Sequence, residues 1–399
     1  MKFLFLIILA LATVAVIAQQ KDNRIVIGTA DTVNSKILNE KRVVYIHVPD
    51  GHKNQRYPVL YVLDADQHFQ SAVAIVEQIS GIIPNMVVVG ITNTDRERDM
   101  TPNHVQPNRL VNASEAKHTG GGENFMAFIE KELIPYVDAH YPTTSYRTIT
   151  GHSLGGLAVM NAFVNHQNLF NTYVAIDPSI WWQGEQWIKQ AEQKLTTQHI
   201  ENEALFVGIA NNIPAGFDTV SIVSDTTGKA PVTHAVLPFV HWLQQKQLPG
   251  LRWGYKFYPN EWHGSVELNA EYDALRYLFG FYHFDMNNLR AHPELNADSL
   301  IAAHFDAVSA KLGYKVPPNE SLVNDVAYTY WGMGKKNVAY TLFKRNTENY
   351  PQSANAFDSL GEFYEAQGDK QKAIEAYTKS LSLQETEDTQ RKLNALKAK

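Results

Sequence analysis

Short apolar segments with strand character alternate with amphipathic helical segments over the first two thirds of the chain. Several of the strand candidates are unbroken apolar runs, which is typical of strands buried on both faces. Repeated strand–helix–strand units predict a mostly parallel sheet covered by helices on both faces, within residues 24–284. The strand candidates are residues 24–28, 42–48, 57–63, 86–92, 146–150, 172–176, 204–209 and 253–258, and the main helical segments between them are 123–140, 154–165, 231–247 and 271–282.

The pattern changes after Phe284, where strand candidates end and helical periodicity continues to the C-terminus. Two segments there align at an offset of 34 residues, so that Tyr330 matches Tyr364 and Ala339 matches Ala373. This period, with small residues and aromatics at matching positions, indicates tetratricopeptide-like helix pairs. Fewer than three such units are rarely stable alone. We therefore expect them to dock on helix 297–312 or on the sheet domain, or to offer a surface to a protein partner.

The N-terminus has the pattern of an export signal. Lys2 precedes 15 residues, Phe3 to Ile17, that are apolar except for one threonine, and Ala18 is small enough to precede a cleavage site. A retained membrane anchor is the alternative, but a span normally needs about 18 apolar residues. The expected division is a signal peptide (1–18), a catalytic α/β domain (19–286), a helical linker (287–316) and helical repeats (317–399), in a periplasmic or secreted protein without a membrane span after cleavage.

Charge and cysteine content exclude several classes of function. The net charge is −6 and no basic stripe occurs, which argues against a nucleic-acid partner. The chain contains no cysteine, so thiol nucleophiles, thiolate metal ligands and disulfides are excluded. An exported protein of this kind must be stabilised by its hydrophobic core.

The most specific motif is Gly151-His152-Ser153-Leu154-Gly155, a G-x-S-x-G sequence between a β-branched segment and a helical one. In that context the glycines permit a sharp strand-to-helix turn that exposes a serine hydroxyl at the carboxyl edge of a sheet. Ser153 is therefore our candidate nucleophile, and a purely structural turn is the alternative. The backbone N–H of Leu154 would stabilise an oxyanion. A second N–H would come from Ala65 or Asp66, after the strand at 57–63.

A serine hydroxyl needs a general base and a group that orients that base. His263 is the candidate base because it follows the last strand candidate, in the segment YPNEWHGS. The acid is less defined. Its usual place follows the strand at 204–209, where Asn211 and Asn212 stand instead, and the next acids are Asp218 and Asp225. Asp225 is preferred because it lies just before a helix, and Asp218 is next. Asp177 and Glu261 are the further candidates, and a serine–histidine dyad is also open.

The segments PVLYVLDADQHF, GITNTDRERDMTP, TITGHSLGGLAVM, PSIWW and FYPNEWHGS together resemble the putative-esterase branch of the α/β-hydrolases. That branch includes esterases that open ferric-siderophore trilactones and more general acyl esterases. The resemblance covers about residues 21–284 and implies an α/β-hydrolase fold, with Ser153 as nucleophile and His263 as base. Some members of the branch work with a dyad.

Substrate contacts are expected from loops at the same edge. A ferric catecholate carries negative charge and would favour arginines such as Arg98, but the acids interspersed in that loop favour internal pairing. Asp66 and Trp182 are the other candidate substrate-binding residues, and packing is an equal alternative for Trp182.

The sequence thus predicts an exported serine hydrolase that cleaves a small-molecule carboxylic ester through an acyl-enzyme, with no metal or cofactor implied. One alternative is a hydrolase-like binding protein that has lost catalysis and acts through its repeats. A peptidase or acyltransferase on the same scaffold is the other.

Overall fold

A single mixed sheet forms the centre of the first two thirds of the chain. The computed structural model describes residues 25–51, 55–224, 228 and 230–398. The strands are Thr29–Ser35 (β1), Glu40–His47 (β2), Tyr57–Val62 (β3), Val87–Ile91 (β4), Thr143–His152 (β5), Thr172–Ile176 (β6), Glu203–Ala210 (β7) and Leu251–Tyr258 (β8). Their order across the sheet is β1-β2-β4-β3-β5-β6-β7-β8.

The second strand alone runs opposite to the rest of the sheet. β1 pairs with β2, and β2 with β4, in antiparallel fashion, whereas every pairing from β4 across to β8 is parallel. The carboxyl ends of β3 to β8 therefore meet at one edge. Loops that follow neighbouring strands, such as β5, β6 and β7, are brought together there.

Helices cover both faces of the sheet and continue to the C-terminus. A π-helical segment, Ile129–Leu133, joins α4 to α5. The helices are Ala65–Gln78 (α1), Arg96–Met100 (α2), Ala113–Ala116 (α3), Gly122–Phe128 (α4), Ile134–His140 (α5), Leu154–Asn165 (α6), Glu185–Thr197 (α7), Pro231–Lys246 (α8), Val266–Phe279 (α9), Met286–Ala291 (α10), Ala297–Leu312 (α11), Glu320–Gly332 (α12), Lys336–Asn349 (α13), Ala354–Ala366 (α14), Lys370–Leu383 (α15) and Glu387–Ala398 (α16).

Alternate residues of each strand enter different cores. In β3, Val59 and Tyr61 pack on the side of α4 to α8, while Leu60 and Val62 pack on the side of α1 and α9. All six residues of β3 are buried, which explains why this strand is an unbroken apolar run rather than an alternating one.

The C-terminal helices share a core with the sheet domain. The core beneath α1 and α9 continues without interruption into α11, α12, α13 and α14. Phe305 of α11 packs edge-on against Tyr282, with ring centroids 6.0 Å apart, and Lys311 lies over the ring of Phe281 at 4.7 Å. The helical region is thus packed against the sheet domain.

Two helix pairs in this region follow the sequence repeat. α12 and α14 begin at residues 320 and 354, and α13 and α15 begin at 336 and 370, so each offset is 34 residues. Gly361 explains one small residue of the pattern, because a Cβ there would lie 2.6 Å from the ring of Tyr377. The assignment to tetratricopeptide repeats remains a prediction.

Some predicted elements lie elsewhere. The first strand begins at Thr29 and not in the segment 24–28, of which residues 25–28 have no regular structure. The segment after β3, expected as a loop, begins the helix α1. The predicted signal peptide lies outside the described residues. Within the described part of the chain, no helix has the length and apolar character that a membrane span requires.

Candidate active site

Ser153 lies in the turn between β5 and α6, at the carboxyl edge of the sheet. Its backbone adopts φ 60° and ψ −115°, a strained conformation for a residue with a side chain. Two hydrogen bonds hold the turn: the N–H of Ser153 donates to the carbonyl of Ile176 at 3.0 Å, and its carbonyl accepts from the N–H of Ser179 at 3.0 Å. The neighbouring strand thereby fixes the direction of the serine hydroxyl.

The glycines of the motif are required by close approach. A Cβ at Gly151 would lie 2.6 Å from the backbone of Gly155, and a Cβ at Gly155 would lie 3.0 Å from a carboxylate oxygen of Asp64. These are shorter than ordinary carbon contacts, so larger residues would open the turn. The spacing G-x-S-x-G is a steric condition for the geometry of Ser153.

His263 faces Ser153 from the loop between β8 and α9. Its Nε2 lies 2.9 Å from Oγ of Ser153. The backbone N–H of His263 donates to Oδ1 of Asn212 at 2.9 Å. The imidazole is about one third exposed, so it can exchange protons with a bound substrate or with water.

Asp177 completes this line of side chains. Oδ2 of Asp177 lies 2.6 Å from Nδ1 of His263. The carboxylate is fully buried and accepts two further hydrogen bonds, from the N–H of Ala210 and from Nδ2 of Asn212, each at 3.0 Å. Because these donors hold the carboxylate in place against Nδ1, Asp177 can orient His263 and stabilise a positive charge on it.

Two backbone amides near Ser153 each begin a helix. Leu154 is the first residue of α6, and Ala65 is the first residue of α1. Neither amide N–H donates a hydrogen bond to any acceptor in the part of the chain that the structure describes. Free N–H groups at helix N-termini attract negative charge.

A row of titratable side chains continues from His263 into the space between β5 and the helices α1 and α9. The rings of His152 and His263 have centroids 4.6 Å apart, and His68 contacts His152 edge-on at 6.2 Å. Nδ1 of His68 pairs with Glu267 at 2.5 Å. Burial, together with the nearby charge of His263, lowers the pKa of His152 to about 4. His152 is therefore neutral at physiological pH.

Glu271 lies in the same region and is almost completely buried. Its burial, with the charge of Glu267 nearby, raises the pKa of Glu271 well above the ordinary value. Burial of Glu271 therefore favours its protonated form.

The candidate acids of the sequence analysis have different positions. Asp225, the preferred one, lies outside the described residues. Asp218 is exposed and accepts hydrogen bonds from Ser221 within its own turn. Glu261 accepts from Ser265 and Asn269. The structure instead brings the third-ranked candidate, Asp177, to Nδ1 of His263, because the carboxylate of Asp177 follows the strand directly beside β5.

The candidate substrate-binding residues are engaged within the protein. Arg98 bonds to Asp99 at 2.7 Å and to Glu40 at 3.0 Å. Asp66 accepts from the N–H of Asn93 at 3.0 Å. Trp182 is 2% exposed, and its Nε1 donates to the carbonyl of Asn103 at 3.2 Å. These contacts favour internal pairing of Arg98 and packing of Trp182 over direct contact with a substrate.

Asn212 is a site residue to which the sequence analysis gave no role. It occupies the position after β7 where an acid was expected, and it bonds both to Asp177 and to the backbone of His263. An amide suits this place because it donates to a carboxylate and accepts from an N–H. Nowhere in the described part of the chain do three or more histidine, aspartate or glutamate residues cluster as metal ligands would.

Comparison with known proteins gives matches over this part of the fold. Residues 35–207 match the family described as "Putative esterase". The ferri-bacillibactin esterase BesA of Bacillus subtilis (strain 168) is 33% identical over 171 residues, which are 39% of this chain and 58% of that protein. The matched region thus spans little more than half the length of that relative.

Two solved structures resemble larger parts of the chain. An IroE-like serine hydrolase from Shewanella oneidensis is 27% identical, with a TM-score of 0.68, and the likeness covers 80% of this chain and 99% of that one. An uncharacterised protein from Capnocytophaga ochracea is 19% identical, with a TM-score of 0.59, and the likeness covers 93% of this chain and 100% of that one. The second likeness shows that the fold, including most of the helical region, recurs. The matches together support an ester hydrolase.

Proposed function

We propose that this chain is an exported serine esterase of the α/β-hydrolase fold that cleaves a carboxylic ester through an acyl-enzyme. Ser153 is the nucleophile, His263 the general base and acid, and Asp177 the orienting acid. The observation that carries the proposal is the unbroken line of hydrogen bonds from Asp177 through His263 to Ser153, at 2.6 and 2.9 Å. The export part of the proposal is supported by the pattern of residues 1–18.

Acylation follows from this geometry. Asp177 keeps the proton of the neutral imidazole on Nδ1, which leaves the lone pair of Nε2 facing Oγ of Ser153. As Oγ attacks the carbonyl carbon, its proton passes to Nε2 and an imidazolium forms beside the buried carboxylate. His263 then gives that proton to the departing alkoxide, and the alcohol leaves.

The oxyanion of the tetrahedral intermediate needs preorganised donors. The amides of Leu154 and Ala65 are free and lie at helix N-termini on the two turns beside Ser153, so we assign them to the oxyanion hole. In the second half of the reaction, water takes the place of the alcohol. His263 removes a proton from that water as the water oxygen attacks the acyl carbon, then gives the proton to Oγ of Ser153 as the bond from Oγ to the acyl carbon breaks, and a carboxylic acid leaves.

The substrate class that the comparisons favour is a siderophore-type ester. BesA is a ferri-bacillibactin esterase by name, and the match to it includes 171 residues. The match leaves much of both chains outside it, so a panel of esters is required. The panel should contain ferric-siderophore trilactones, acetylated sugars, feruloyl esters and p-nitrophenyl acetate.

The test is hydrolysis by the purified protein and by Ser153→Ala. We expect turnover of at least one ester, covalent labelling of the wild type by a fluorophosphonate, and loss of both in the variant. Hydrolysis that survives Ser153→Ala would refute the assignment of the nucleophile. A folded wild type with neither turnover nor labelling would instead favour a binding protein that acts through its helical region.

A further inference from the structure

Asp64, at the turn between β3 and α1, has an unusual backbone. It precedes α1 with φ 53° and ψ 41°, in the left-handed region, where a residue with a side chain is less stable by about 1–2 kcal/mol. Aspartate at this position normally accepts hydrogen bonds from the first turn of the helix. The side chain of Asp64 makes no such bond.

The carboxylate of Asp64 is instead bound by Arg96. Nε of Arg96 donates to Oδ1 of Asp64 at 2.7 Å, and Nη2 of Arg96 donates to Oδ2 at 2.9 Å, so the salt bridge is bidentate. Nδ2 of Asn93 donates to Oδ1 at 2.6 Å. Asp64 is 2% exposed and Arg96 29% exposed. Burial raises the pKa of Asp64, but Arg96, Asn93 and His68 together outweigh this and hold the pKa below its ordinary value.

The same guanidinium reaches the second turn of the site. Nη2 of Arg96 lies 3.5 Å from the carbonyl of His152, at the weak limit of a hydrogen bond. His152 precedes Ser153, and the amide of Leu154 follows it. One side chain therefore contacts a residue in each of the two turns that carry the proposed oxyanion amides, the carboxylate of Asp64 in one and the carbonyl of His152 in the other.

The two turns are alike in construction. Asp64 and Ser153 each have a positive φ, and each directly precedes the first amide of a helix. The turns also touch, since a Cβ at Gly155 would lie 3.0 Å from the carboxylate of Asp64. A small change in either turn would alter the separation of the two amides. An oxyanion hole is sensitive to such changes because its donors must meet one oxygen at 2.7–3.1 Å.

We propose that Arg96 is a positioning residue that fixes the spacing of the oxyanion amides of Ala65 and Leu154 by bridging the two turns. The inference rests on the proposed function. It accounts for an aspartate at a left-handed position where glycine would be less strained. Glycine would relieve the backbone, but it would leave Arg96 without its carboxylate.

The test compares Arg96→Gln and Arg96→Lys with Asp64→Asn. Asparagine at position 64 tolerates the left-handed backbone but lacks the negative charge. Lysine at position 96 keeps the positive charge but lacks the planar guanidinium that makes the bidentate contact. The matched controls are Arg147→Gln and Asp138→Asn. That pair is joined at 2.7 Å, with Arg147 19% and Asp138 36% exposed, and Arg147 lies in the first half of β5, away from its carboxyl end.

Three quantities separate positioning from a merely structural role. These are kcat and KM for p-nitrophenyl acetate, and the inhibition constant of a phenylboronic acid, which forms a tetrahedral adduct with a serine nucleophile. We expect Arg96→Gln and Asp64→Asn to lower kcat by about 10–100-fold, with KM within about threefold, because a misplaced donor loses part of the 10²–10³ that a deleted donor loses. Boronate affinity should fall by the same factor as kcat. Arg96→Lys should lie between Arg96→Gln and the wild type.

Rescue gives an independent reading. Free guanidinium at millimolar concentration should restore part of the kcat of Arg96→Ala and leave Arg147→Ala unchanged. A folded Arg96→Gln whose boronate affinity and kcat stay within twofold of the wild type would overturn the inference, as would an equal loss in Arg147→Gln. If wild type hydrolyses esters and Ser153→Ala does not, such results reject only the role of Arg96. If the wild type is inactive, the proposed function itself has failed.

Discussion

Replacing Asp177 with asparagine changes a single atom of the side chain, yet all three groups around that side chain donate hydrogen bonds. These groups are the N–H of Ala210 at Oδ1, and Nδ2 of Asn212 and Nδ1 of His263 at Oδ2. The new amide can accept on only one side. The backbone N–H of Ala210 cannot change its role, whereas a neutral imidazole can change tautomer. We therefore expect the amide oxygen to face Ala210 and its NH₂ to face His263.

This orientation places the imidazole proton on Nε2, where it points at Ser153, and His263 cannot then accept the serine proton. The variant also lacks the charge that stabilises the imidazolium. Two unit charges about 4 Å apart near a protein surface attract by about 4 kcal/mol, which corresponds to roughly 10³ in rate. With the wrong tautomer added, kcat should fall by about 10³–10⁴, the range known for an asparagine in the corresponding place of chymotrypsin-type proteases.

The assay is steady-state hydrolysis of p-nitrophenyl acetate, together with the thermal unfolding midpoint. Because the volume of the side chain is unchanged, we expect a folded protein with KM within a few-fold of the wild type. Asp218→Asn and Asp225→Asn are matched controls and should stay within twofold of the wild type. The reasoning fails if Asp177→Asn keeps more than a tenth of the wild-type kcat, or if Asp225→Asn loses as much.

Three further predictions concern stability. The pKa of His152 is about 4 in the folded protein against 6.5 ordinarily, so below pH 6.5 the unfolded chain binds a proton that the folded one does not. Urea titrations should show a loss of about 3 kcal/mol between pH 6.5 and 4 that His152→Gln lacks. The raised pKa of Glu271 acts in the opposite direction, because the folded state keeps a proton that the unfolded state releases. Glu271→Gln should therefore gain stability over the wild type as pH rises from 4.5 to 8, and an unchanged difference in melting temperature would contradict this. Removal of residues 317–399 exposes the core that α11 shares with α12 to α14. The melting temperature should therefore fall by more than about 5 °C, while the kcat of the folded fraction stays within twofold of the wild type. An unaltered melting temperature would argue against a shared core.

The sequence identifies most strands of the sheet because their residues are buried on both faces and form unbroken apolar runs. It is less informative where burial is one-sided. β1 has exposed residues at four of its seven positions, so its pattern is weak and the segment 24–28 was preferred. The start of α1 lies within the stretch LDADQHF, whose two aspartates are typical of a turn. In the structure Asp64 is left-handed, and its carboxylate binds Arg96 rather than the first turn of the helix.

The residues of the candidate site also differ in how well the sequence predicts them. The turn at Ser153 is readable because its geometry depends on glycines at fixed spacing, and such steric conditions are local in sequence. The position of His263 follows from its place after the last strand.

The acid was harder to assign because chain order alone admits any carboxylate between Ser153 and His263. What selects Asp177 is the order of strands: β6 lies directly beside β5, so the residue after Ile176 reaches the same edge as Ser153. The position after β7 then needs no carboxylate, and Asn212 there supplies a donor to Asp177 and an acceptor to the backbone of His263. In this chain, the asparagine at the usual place of the acid and the aspartate directly after the preceding strand thus act as a pair. It follows that Asn212→Asp should impair catalysis, since a second carboxylate beside Asp177 would remove its donor and repel its charge.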